Sequence, residues 1–376
     1  MKISALEIFR IKVDLLTPYQ MSKVLGSRIE TQAIILKIHT NKGIFGLGEA
    51  NPAPLVGGET TDSVIAAIKT FFAPLLLGAN PLDAAKLEIA LDRVIAGNNA
   101  AKAAVSVALF DILAKAEKVP LHLIFGGKLH SELPVMWPLS CGSPIGDDKI
   151  IEEKLKIGHT TFMIKMGAQD VERDIERVSA IREKYGNGIY LISDTNQGWN
   201  YRETLSFING LEAKAIDLME QPMPIENLEG YKSVCRVSPW PVSVDESIYT
   251  IHDARRLISE KAANAFSLKV SKHGGLLKTK NIAIFSEVFG INCLMNSEIE
   301  FGISQAALLQ LGCTLNNLVD FGHAYMSPLR LAADITDYSR LVNDGKVRVP
   351  DTPGLGVDLD EEKLSLYTQD HFKFNE

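Results

Sequence analysis

The chain has 376 residues, of which 46% are hydrophobic and 23% are charged, as in a globular protein with a sizeable core. Its formal net charge is −7 with scattered lysines and arginines, and no apolar run approaches the roughly 18 residues of a membrane span, so we expect neither nucleic acid nor membrane as a partner. Four cysteines without a CxxC pair argue against a zinc cluster or a disulfide framework, and we expect reduced thiols in a cytoplasmic protein: Cys141, Cys235, Cys293 and Cys313.

The first part of the chain, residues 1–125, is predicted to form an α+β unit. Apolar segments at 31–40 and 43–50 are joined by the turn "NKG", which favours an antiparallel hairpin. Three segments with apolar residues at helical spacing follow, at 60–78, 81–97 and 100–118. The glycine pair and proline of "LIFGGKLHSELPV" then indicate a domain junction.

From residue 126 to about 330, short apolar segments alternate with amphipathic helices. This alternation predicts a parallel sheet, and eight units close best as a (β/α)8-type barrel. The eight predicted strands lie at 133–140, 161–167, 188–196, 216–222, 241–247, 265–271, 291–298 and 317–323.

Five successive strands of this region end in a charged residue: Lys165, Asp194, Glu220, Asp245 and Lys269. Side chains alternate between the two faces of a strand, and this alternation points all five toward the barrel axis. The carboxyl ends of barrel strands form the rim where such enzymes build active sites. We therefore expect three carboxylates and two amines to converge on one mouth.

Three crowded carboxylates repel each other unless a cation neutralises them. Because every donor is a hard oxygen, the pattern favours Mg²⁺ or Mn²⁺ over zinc. Burial near such an ion would lower the pKa of a lysine and make it a useful base. The chemistry that fits is removal of a proton next to a carboxylate, through a metal-stabilised enediolate. The alternatives are that an acid is only a turn former or helix cap, and that a lysine forms only a structural ion pair.

The motifs "DTNQGW", "EQP", "VDES", "LKVSKHGG" and "SEIEFGIS" in this order resemble the enolase superfamily, specifically the muconate lactonizing enzyme subgroup of the mandelate racemase/muconate lactonizing enzyme family. The resemblance covers essentially the whole chain. It implies that Lys165 and Lys269 are the paired acid/base catalysts. It further implies a Mg²⁺ site (Mn²⁺ being possible) at Asp194, Glu220 and Asp245, with Asn196, Glu246 and Glu300 in support.

The resemblance also implies an α/β fold in which residues 126–330 form a (β/α)7β TIM-like barrel. Residues 1–125 and the returning segment 331–376 would form an α+β capping domain, and the protein would be a homo-oligomer. Loops at 17–27 and 51–60 would close on the substrate, or else be plain surface connections. The predicted substrate contacts are Tyr19, Lys23, Val56, Met163, Asn296, Ser297, Glu298 and His323. His323 is equally well interpreted as a structural histidine bonded to backbone.

Two positions distinguish this chain within the family. Asn296 or Ser297, and Lys269, stand where the mandelate racemase type has a histidine and an aspartate, so that type is not expected. Met163 stands where the subgroup usually has the first lysine of Lys-x-Lys, which leaves the tuning of Lys165 to burial and metal.

The leading prediction is a Mg²⁺-dependent cycloisomerase, racemase or epimerase that removes the α-proton of a small-molecule carboxylate, either a muconate-like acid or an amino acid derivative. A dehydratase of a hydroxylated carboxylic or cyclic amino acid is the second prediction, because one lysine could deprotonate the substrate while the other protonates a leaving hydroxyl. The third is a catalytically silent, ligand-binding member.

Overall fold

The computed structural model describes residues 1–376. It contains fourteen strands: β1 Ile3–Gln20, β2 Ser27–Thr40, β3 Phe45–Ala50, β4 Glu132–Pro134, β5 Met136–Leu139, β6 Thr161–Lys165, β7 Tyr190–Asp194, β8 Leu218–Glu220, β9 Val242–Val244, β10 Ala265–Leu268, β11 Asn292–Met295, β12 Val342–Asn343, β13 Lys346–Arg348 and β14 Thr368–Asn375.

The α-helices are α1 Pro54–Gly57, α2 Thr61–Ala67, α3 Ala73–Leu76, α4 Ala84–Val94, α5 Asn99–Ala116, α6 Leu121–Ile124, α7 Pro144–Leu155, α8 Val171–Tyr185, α9 Tyr201–Gly210, α10 Leu228–Val237, α11 Ile251–Ser259, α12 Val270–His273, α13 Leu276–Val288, α14 Gly302–Gly312 and α15 Glu361–Tyr367. A π-helical segment joins α2 to α3 at Ile68–Phe72, and 3₁₀ turns occur at Gly186–Gly188, Ser327–Arg330 and Tyr338–Leu341. None of the helices combines the length and the apolar character that a membrane span requires.

An antiparallel sheet in the order β14-β1-β2-β3, here called the capping sheet, joins the two ends of the chain. The predicted hairpin is confirmed as β2 and β3, with Gly43 in the turn at φ 75°. The long strand β1 was not predicted, because its apolar residues are interrupted by charges. Helix α5 packs closely on β3, since a Cβ at Gly48 would lie 1.9 Å from the Ala104 carbonyl oxygen. Glycine is therefore needed there.

A second, parallel sheet runs in the order β5-β6-β7-β8-β9-β10-β11, with helices following its strands. Its short strands are buried on both sides, as expected where a parallel sheet is covered by helices. Lys165 pairs with Asp194, and Asp194 pairs with Glu220, so these strand ends lie level. The α/β fold with a TIM-like barrel and an antiparallel sheet from both chain ends is confirmed.

The predicted eighth strand, 317–323, is not a strand. Instead, one isolated bridge pairs Leu318 with Cys293 on β11, and a second pairs His323 with Val135 beside β5. The side chain of Asn317 donates to the carbonyl oxygens of Ala283 and Ile291, which holds the segment to its neighbours. The segment spans both edges of the parallel sheet and closes the barrel without forming a continuous ladder.

After the barrel, β13 pairs with β12 on one side and with β4 on the other, in a small antiparallel sheet. The chain then passes through α15, and β14 runs antiparallel to β1 from the Ala5–Asn375 pair to the Ile11–Thr368 pair. The tail therefore completes the capping sheet, as the resemblance implied.

Candidate active site

The carboxyl ends of β6 to β10 bring the five predicted charged residues together. Lys165, Asp194 and Glu220 end their strands, whereas Asp245 and Lys269 immediately follow β9 and β10. All five side chains are buried. The period-two prediction from the sequence thus selected the residues that meet at one end of the barrel.

Lys165 is held at one side of the acidic residues. Its ammonium group forms a salt bridge with Asp194 and donates to the Asn196 side-chain oxygen at 2.9 Å. The backbone of Lys165 is fixed as well, because Arg177 donates to its carbonyl oxygen at 2.6 Å while forming a buried salt bridge with Asp147. Lys165 is therefore held both at its ammonium group and at its backbone.

Lys269 lies at the other side and has two carboxylate partners. Its Nζ is 2.6 Å from Asp245 Oδ2 and 3.0 Å from Glu298 Oε1. Asp245 also receives Lys272, whose Nζ is 2.5 Å from Oδ1 and donates to the carbonyl oxygens of Asp245 and Ser267. Asp245 is therefore neutralised by two lysines, whereas Asp194 has one.

Glu220 lies between the two ion pairs. Its Oε1 accepts a 2.7 Å hydrogen bond from Asn296, but its buried Oε2 has no partner. Burial raises the pKa of Glu220, and the nearby Asp194 and Asp245 carboxylates raise it further. Negative charge at this position is thus only partly compensated.

The acidic neighbours favour the charged form of both candidate catalytic lysines and raise their pKa values. Burial alone would lower the pKa of Lys165, but Asp194, Tyr19 and Glu220 together more than offset this effect and raise the pKa. The same balance raises the pKa of Lys269 through Asp245 and Glu298. This is opposite to the lowering expected beside a divalent ion, because the carboxylates here have only the ammonium groups to neutralise them.

The donor set fits a divalent cation. Asp194, Glu220 and Asp245 provide hard oxygens on neighbouring strands, without histidine or cysteine. The unpartnered Glu220 oxygen and the raised pKa of its carboxyl group indicate that positive charge is needed. The three carboxylates do not converge on a common point in this structure, and Asp194 and Asp245 are paired with the two lysine ammonium groups. A cation would replace these groups as the neutralising charge.

A small cavity of about 50 Å³ lies beside these residues. It is lined by both lysines together with polar and apolar side chains from the barrel and the capping sheet. Of the predicted site residues, those that line it are Tyr19, Val56, Met163, Lys165, Asn196, Asp245, Glu246, Lys269, Asn296, Ser297 and Glu298.

The two predicted capping loops lie on the barrel mouth. Ser22 donates to the Asn196 carbonyl oxygen at 3.1 Å, and the Tyr249 hydroxyl donates to the Val56 carbonyl oxygen at 2.5 Å. The capping sheet itself also contacts the mouth, because the Thr31 hydroxyl on β2 donates to the Ile299 carbonyl oxygen. These loops are therefore part of the cavity wall rather than free surface connections.

Lys23 and His323 do not line this cavity. The side chain of Lys23 is 56% exposed and lies 3.7 Å from Glu203 on α9. His323 pairs with Val135 just before β5, and its Nδ1 accepts from the backbone N–H of Met295, the last residue of β11. Burial lowers the pKa of His323 to about 3, so it is neutral. The structural alternative is thus the one observed for His323.

Glu246 and Glu300, the predicted supporting residues, each bond to neighbours of the site. Asn196 donates to Glu246 at 3.1 Å, while burial, together with Asp245 and Asp194, raises the pKa of Glu246 to about 8. Glu300 accepts from the Ser297 hydroxyl at 2.6 Å and from the Glu298 backbone at 2.7 Å. Glu300 thereby fixes the loop that presents Glu298.

Left-handed backbone at non-glycine residues marks three points of the site. The φ angles are 42° at Asn196, 36° at Gln221 and 68° at Ile299. A β-branched residue such as Ile299 rarely adopts this conformation, and it persists only where surrounding contacts impose it. The strain allows Glu298 and Glu300 on either side of Ile299 to be held in their observed positions.

The sequence reasoning missed Lys272, Arg177, Arg28 and Arg330. Lys272 could have been found, because it lies three residues after Lys269, at a spacing that returns to the same side of a helical turn. Arg28 and Arg330 line the cavity from segments outside the barrel strands. No strand-end pattern points to them.

Two family models match the chain. The mandelate racemase / muconate lactonizing enzyme N-terminal domain matches residues 5–126, and the enolase C-terminal domain-like model matches residues 149–363. The N-succinyl-L-Arg/Lys racemase of Bacillus cereus is 30% identical over 369 residues, which cover 98% of each chain. The crystal structure of this racemase superposes over 100% of each chain, with a TM-score of 0.94.

Relatives with other named activities match equally completely. A chloromuconate cycloisomerase of Pseudomonas putida is 30% identical over 372 residues, which cover 98% of this chain and 100% of the relative. The dipeptide epimerase of Enterococcus faecalis V583, solved with Mg and the dipeptide L-Leu-L-Tyr, is 27% identical with a TM-score of 0.88 and covers 95% of this chain and 100% of that chain.

The named relatives are cycloisomerases, racemases and epimerases, all of them isomerases acting on small molecules. Enzymes of this type generally use a divalent metal ion, which agrees with the all-oxygen donor set at the strand ends. The chain belongs to the mandelate racemase/muconate lactonizing enzyme family of the enolase superfamily.

Proposed function

We propose that this protein is a Mg²⁺-dependent isomerase that removes and returns the proton α to a substrate carboxylate. The observation that carries the proposal is the placement of two buried lysines on either side of three acids, facing one cavity. Lys165 and Lys269 are separated along the sheet by β7, β8 and β9, which carry or precede the acids. A substrate between the amines would present one face to each.

Each polar group then has a defined part. Asp194, Glu220 and Asp245 would hold the ion, which when bound would neutralise the charge that develops on the substrate carboxylate as the α C–H bond breaks. Lys165 accepts or returns the proton on one face, and Lys269 does so on the other. Such a pair inverts the α-carbon, and the same arrangement serves racemisation, epimerisation and cycloisomerisation.

Asn196 and Glu246 support the Lys165 side. Asn196 accepts from Lys165 and donates to Glu246, so it keeps the lysine aimed at the cavity. The capping loops exclude water from the amines by docking on the mouth. A low-dielectric, water-poor cavity strengthens the electrostatic effects on which this chemistry depends.

The relatives' names define the first substrates to examine: muconolactone, N-succinyl amino acids and dipeptides. Incubation with Mg²⁺ in D₂O, followed by NMR, measures exchange of the α-proton. Exchange with at least one of these acids is expected, and loss of water from a hydroxylated acid would instead identify a dehydratase. Absence of exchange across the panel would contradict the proposal.

Matched variants connect the exchange to the lysines. Lys165→Ala and Lys269→Ala should each lower the rate of complete isomerisation by about 10²–10⁴-fold, because each removes one proton-transfer group. Lys214→Ala is the control, since Lys214 is exposed on the barrel surface. Near-normal isomerisation in either site variant would exclude that lysine from the mechanism.

A further inference from the structure

Arg330 is a cavity cation without a carboxylate partner. It ends the 3₁₀ turn Ser327–Arg330, and its guanidinium group lies 3.9 Å from the centre of the Tyr19 ring. It is partly buried, lines the same cavity as Lys165 and Lys269, and forms no salt bridge. Burial lowers the pKa of Arg330, and Tyr19 is the only group that opposes this.

The two cavity lysines are neutralised in a way that Arg330 is not. Lys165 is paired with Asp194, and Lys269 is paired with Asp245 and Glu298. The other cavity arginine, Arg28, donates only to the Glu298 carbonyl oxygen, at 3.2 Å. Both arginines are partly buried and neither has a carboxylate partner, so this part of the cavity offers positive charge to an anionic ligand.

The stacking of Arg330 on Tyr19 suits it to bind such an anion. A guanidinium group that rests on an aromatic face keeps its N–H donors at its edges, where they match the two oxygens of a carboxylate. Tyr19 is buried in β1, and its ring packs against the guanidinium group. Arg330 is therefore oriented before any ligand arrives, which reduces the entropy cost of binding.

We propose that Arg330, with Arg28 as a second cation, binds a further anionic group of the substrate, so that the substrate is a dianion with a carboxylate distant from the reacting carbon. This inference rests on the proposed function for the place of the first carboxylate, at the acids between the two lysines. Arg330 is a specificity residue in this account and takes no part in proton transfer.

Binding calorimetry of the Mg²⁺-loaded protein tests the charge requirement directly. The probes are α,ω-dicarboxylates from succinate to pimelate, each compared with its own monoamide, which has nearly the same shape and one charge fewer. At least one dicarboxylate should bind about 10- to 100-fold more tightly than its monoamide, the difference expected for a charge-assisted bidentate contact. Equal affinity within every pair would overturn the proposal.

Three variants assign the preference to Arg330. Arg330→Met should remove most of the preference for the dicarboxylate while the affinity for the monoamide changes less than about twofold. Arg330→Lys should retain part of it, because the charge remains but the forked geometry is lost. Arg202→Met removes an exposed arginine elsewhere on the barrel and should leave both affinities unchanged. An unchanged preference in Arg330→Met would also overturn the proposal.

The binding experiment and the exchange experiment test separate claims, so one claim can fail while the other stands. If no acid exchanges its α-proton but the dicarboxylate preference depends on Arg330, then the proposed function is wrong and the anion site stands. If exchange depends on the two lysines but no probe shows a preference for the second charge, then the isomerase stands and the role of Arg330 is refuted.

Discussion

The two sides of the cavity place the same chemical group in different surroundings. On one side, Lys165 has a single carboxylate partner, Asp194, and donates a hydrogen bond to the Asn196 side chain. On the other, Lys269 has two carboxylate partners, and Asp245 is additionally bound by Lys272. The second neighbour of Lys165 is thus the neutral amide of Asn196, whereas Lys269 and its partner Asp245 have the charged neighbours Glu298 and Lys272.

This difference indicates that the two amines are not interchangeable. A lysine held by two carboxylates is retained more firmly in its charged form than a lysine held by one. Releasing Lys269 to act as a base therefore requires more rearrangement of charge than releasing Lys165. The predictions below alter one side at a time.

Lys272→Met is expected to have the largest effect on stability. Lys272 is buried and bonds to Asp245 and to two backbone carbonyl oxygens, so its removal leaves acceptors without a donor. Loss of one member of a buried ion pair typically costs about 3–5 kcal/mol in the free energy of unfolding. Urea denaturation of the variant should show this loss.

Lys278→Met is the control for that measurement. Lys278 pairs with Asp92 at 2.6 Å, but both side chains are partly exposed, and such pairs contribute little. A loss in Lys272→Met no greater than in Lys278→Met would show that the added charge on the Lys269 side is not structurally important.

Met163→Lys changes only the Lys165 side. Met163 is 2% exposed and lines the cavity two residues before Lys165 on β6, at the position where the family resemblance implies a lysine. A second ammonium group there disfavours the charged form of Lys165, so exchange at the face served by Lys165 should change by about tenfold. Stereospecific exchange at both faces measures this. Unchanged rates and an unchanged pH–rate profile would make the methionine incidental.

Glu298→Gln makes the two sides more alike. Glu298 is the second carboxylate on Lys269, and its replacement removes a charge while keeping the side-chain shape. Exchange at the face served by Lys269 should rise by about a few-fold, because the neutral amine is easier to form. Exchange at the opposite face is the internal control. Equal changes at both faces would contradict the asymmetry.

His323→Asn is expected to have the smallest effect on activity and to leave α-proton exchange at both faces of the substrate unchanged. Burial lowers the pKa of His323 to about 3, so between pH 6.5 and 3 the unfolded chain binds a proton that the folded chain does not. Stability is therefore lost as the pH falls below 6.5, by up to about 1.4 kcal/mol per pH unit from this residue.

In His323→Asn that part of the acid sensitivity should disappear, since an asparagine oxygen can accept from the Met295 backbone without titrating. Unfolding free energies measured from pH 7 to pH 5 test this. An equally steep fall in the variant would show that other groups carry the acid sensitivity.

The sequence predicted the strand-end residues because two simple rules determine them. Side chains alternate along a strand, and the carboxyl ends of parallel strands meet at one rim, so Lys165 and Asp194 were placed without knowledge of the rest. The family resemblance added Asn196 and Glu300, whose structural contacts were then observed. Their catalytic or supporting roles stay predictions.

Residues outside the strands could not be placed by these rules. Arg330 reaches the cavity from a short turn after the barrel, and only the packing of that turn against β1 brings it onto Tyr19. The segment 317–323 has the apolar pattern of a strand but forms only isolated bridges. Lys23 belongs to a loop that docks through its backbone, which leaves the side chain free to turn toward Glu203.

Stereospecific exchange in the two lysine variants tests the central claim most directly. Each enantiomer of an exchanging substrate is incubated in D₂O with Lys165→Ala or Lys269→Ala, and the deuterium content at the α-carbon is followed by NMR. The account predicts that each variant retains exchange with one enantiomer only, and that the retained enantiomer is opposite in the two variants. Retention of the same enantiomer by both variants, or of both enantiomers by either, would contradict the placement of one base on each face.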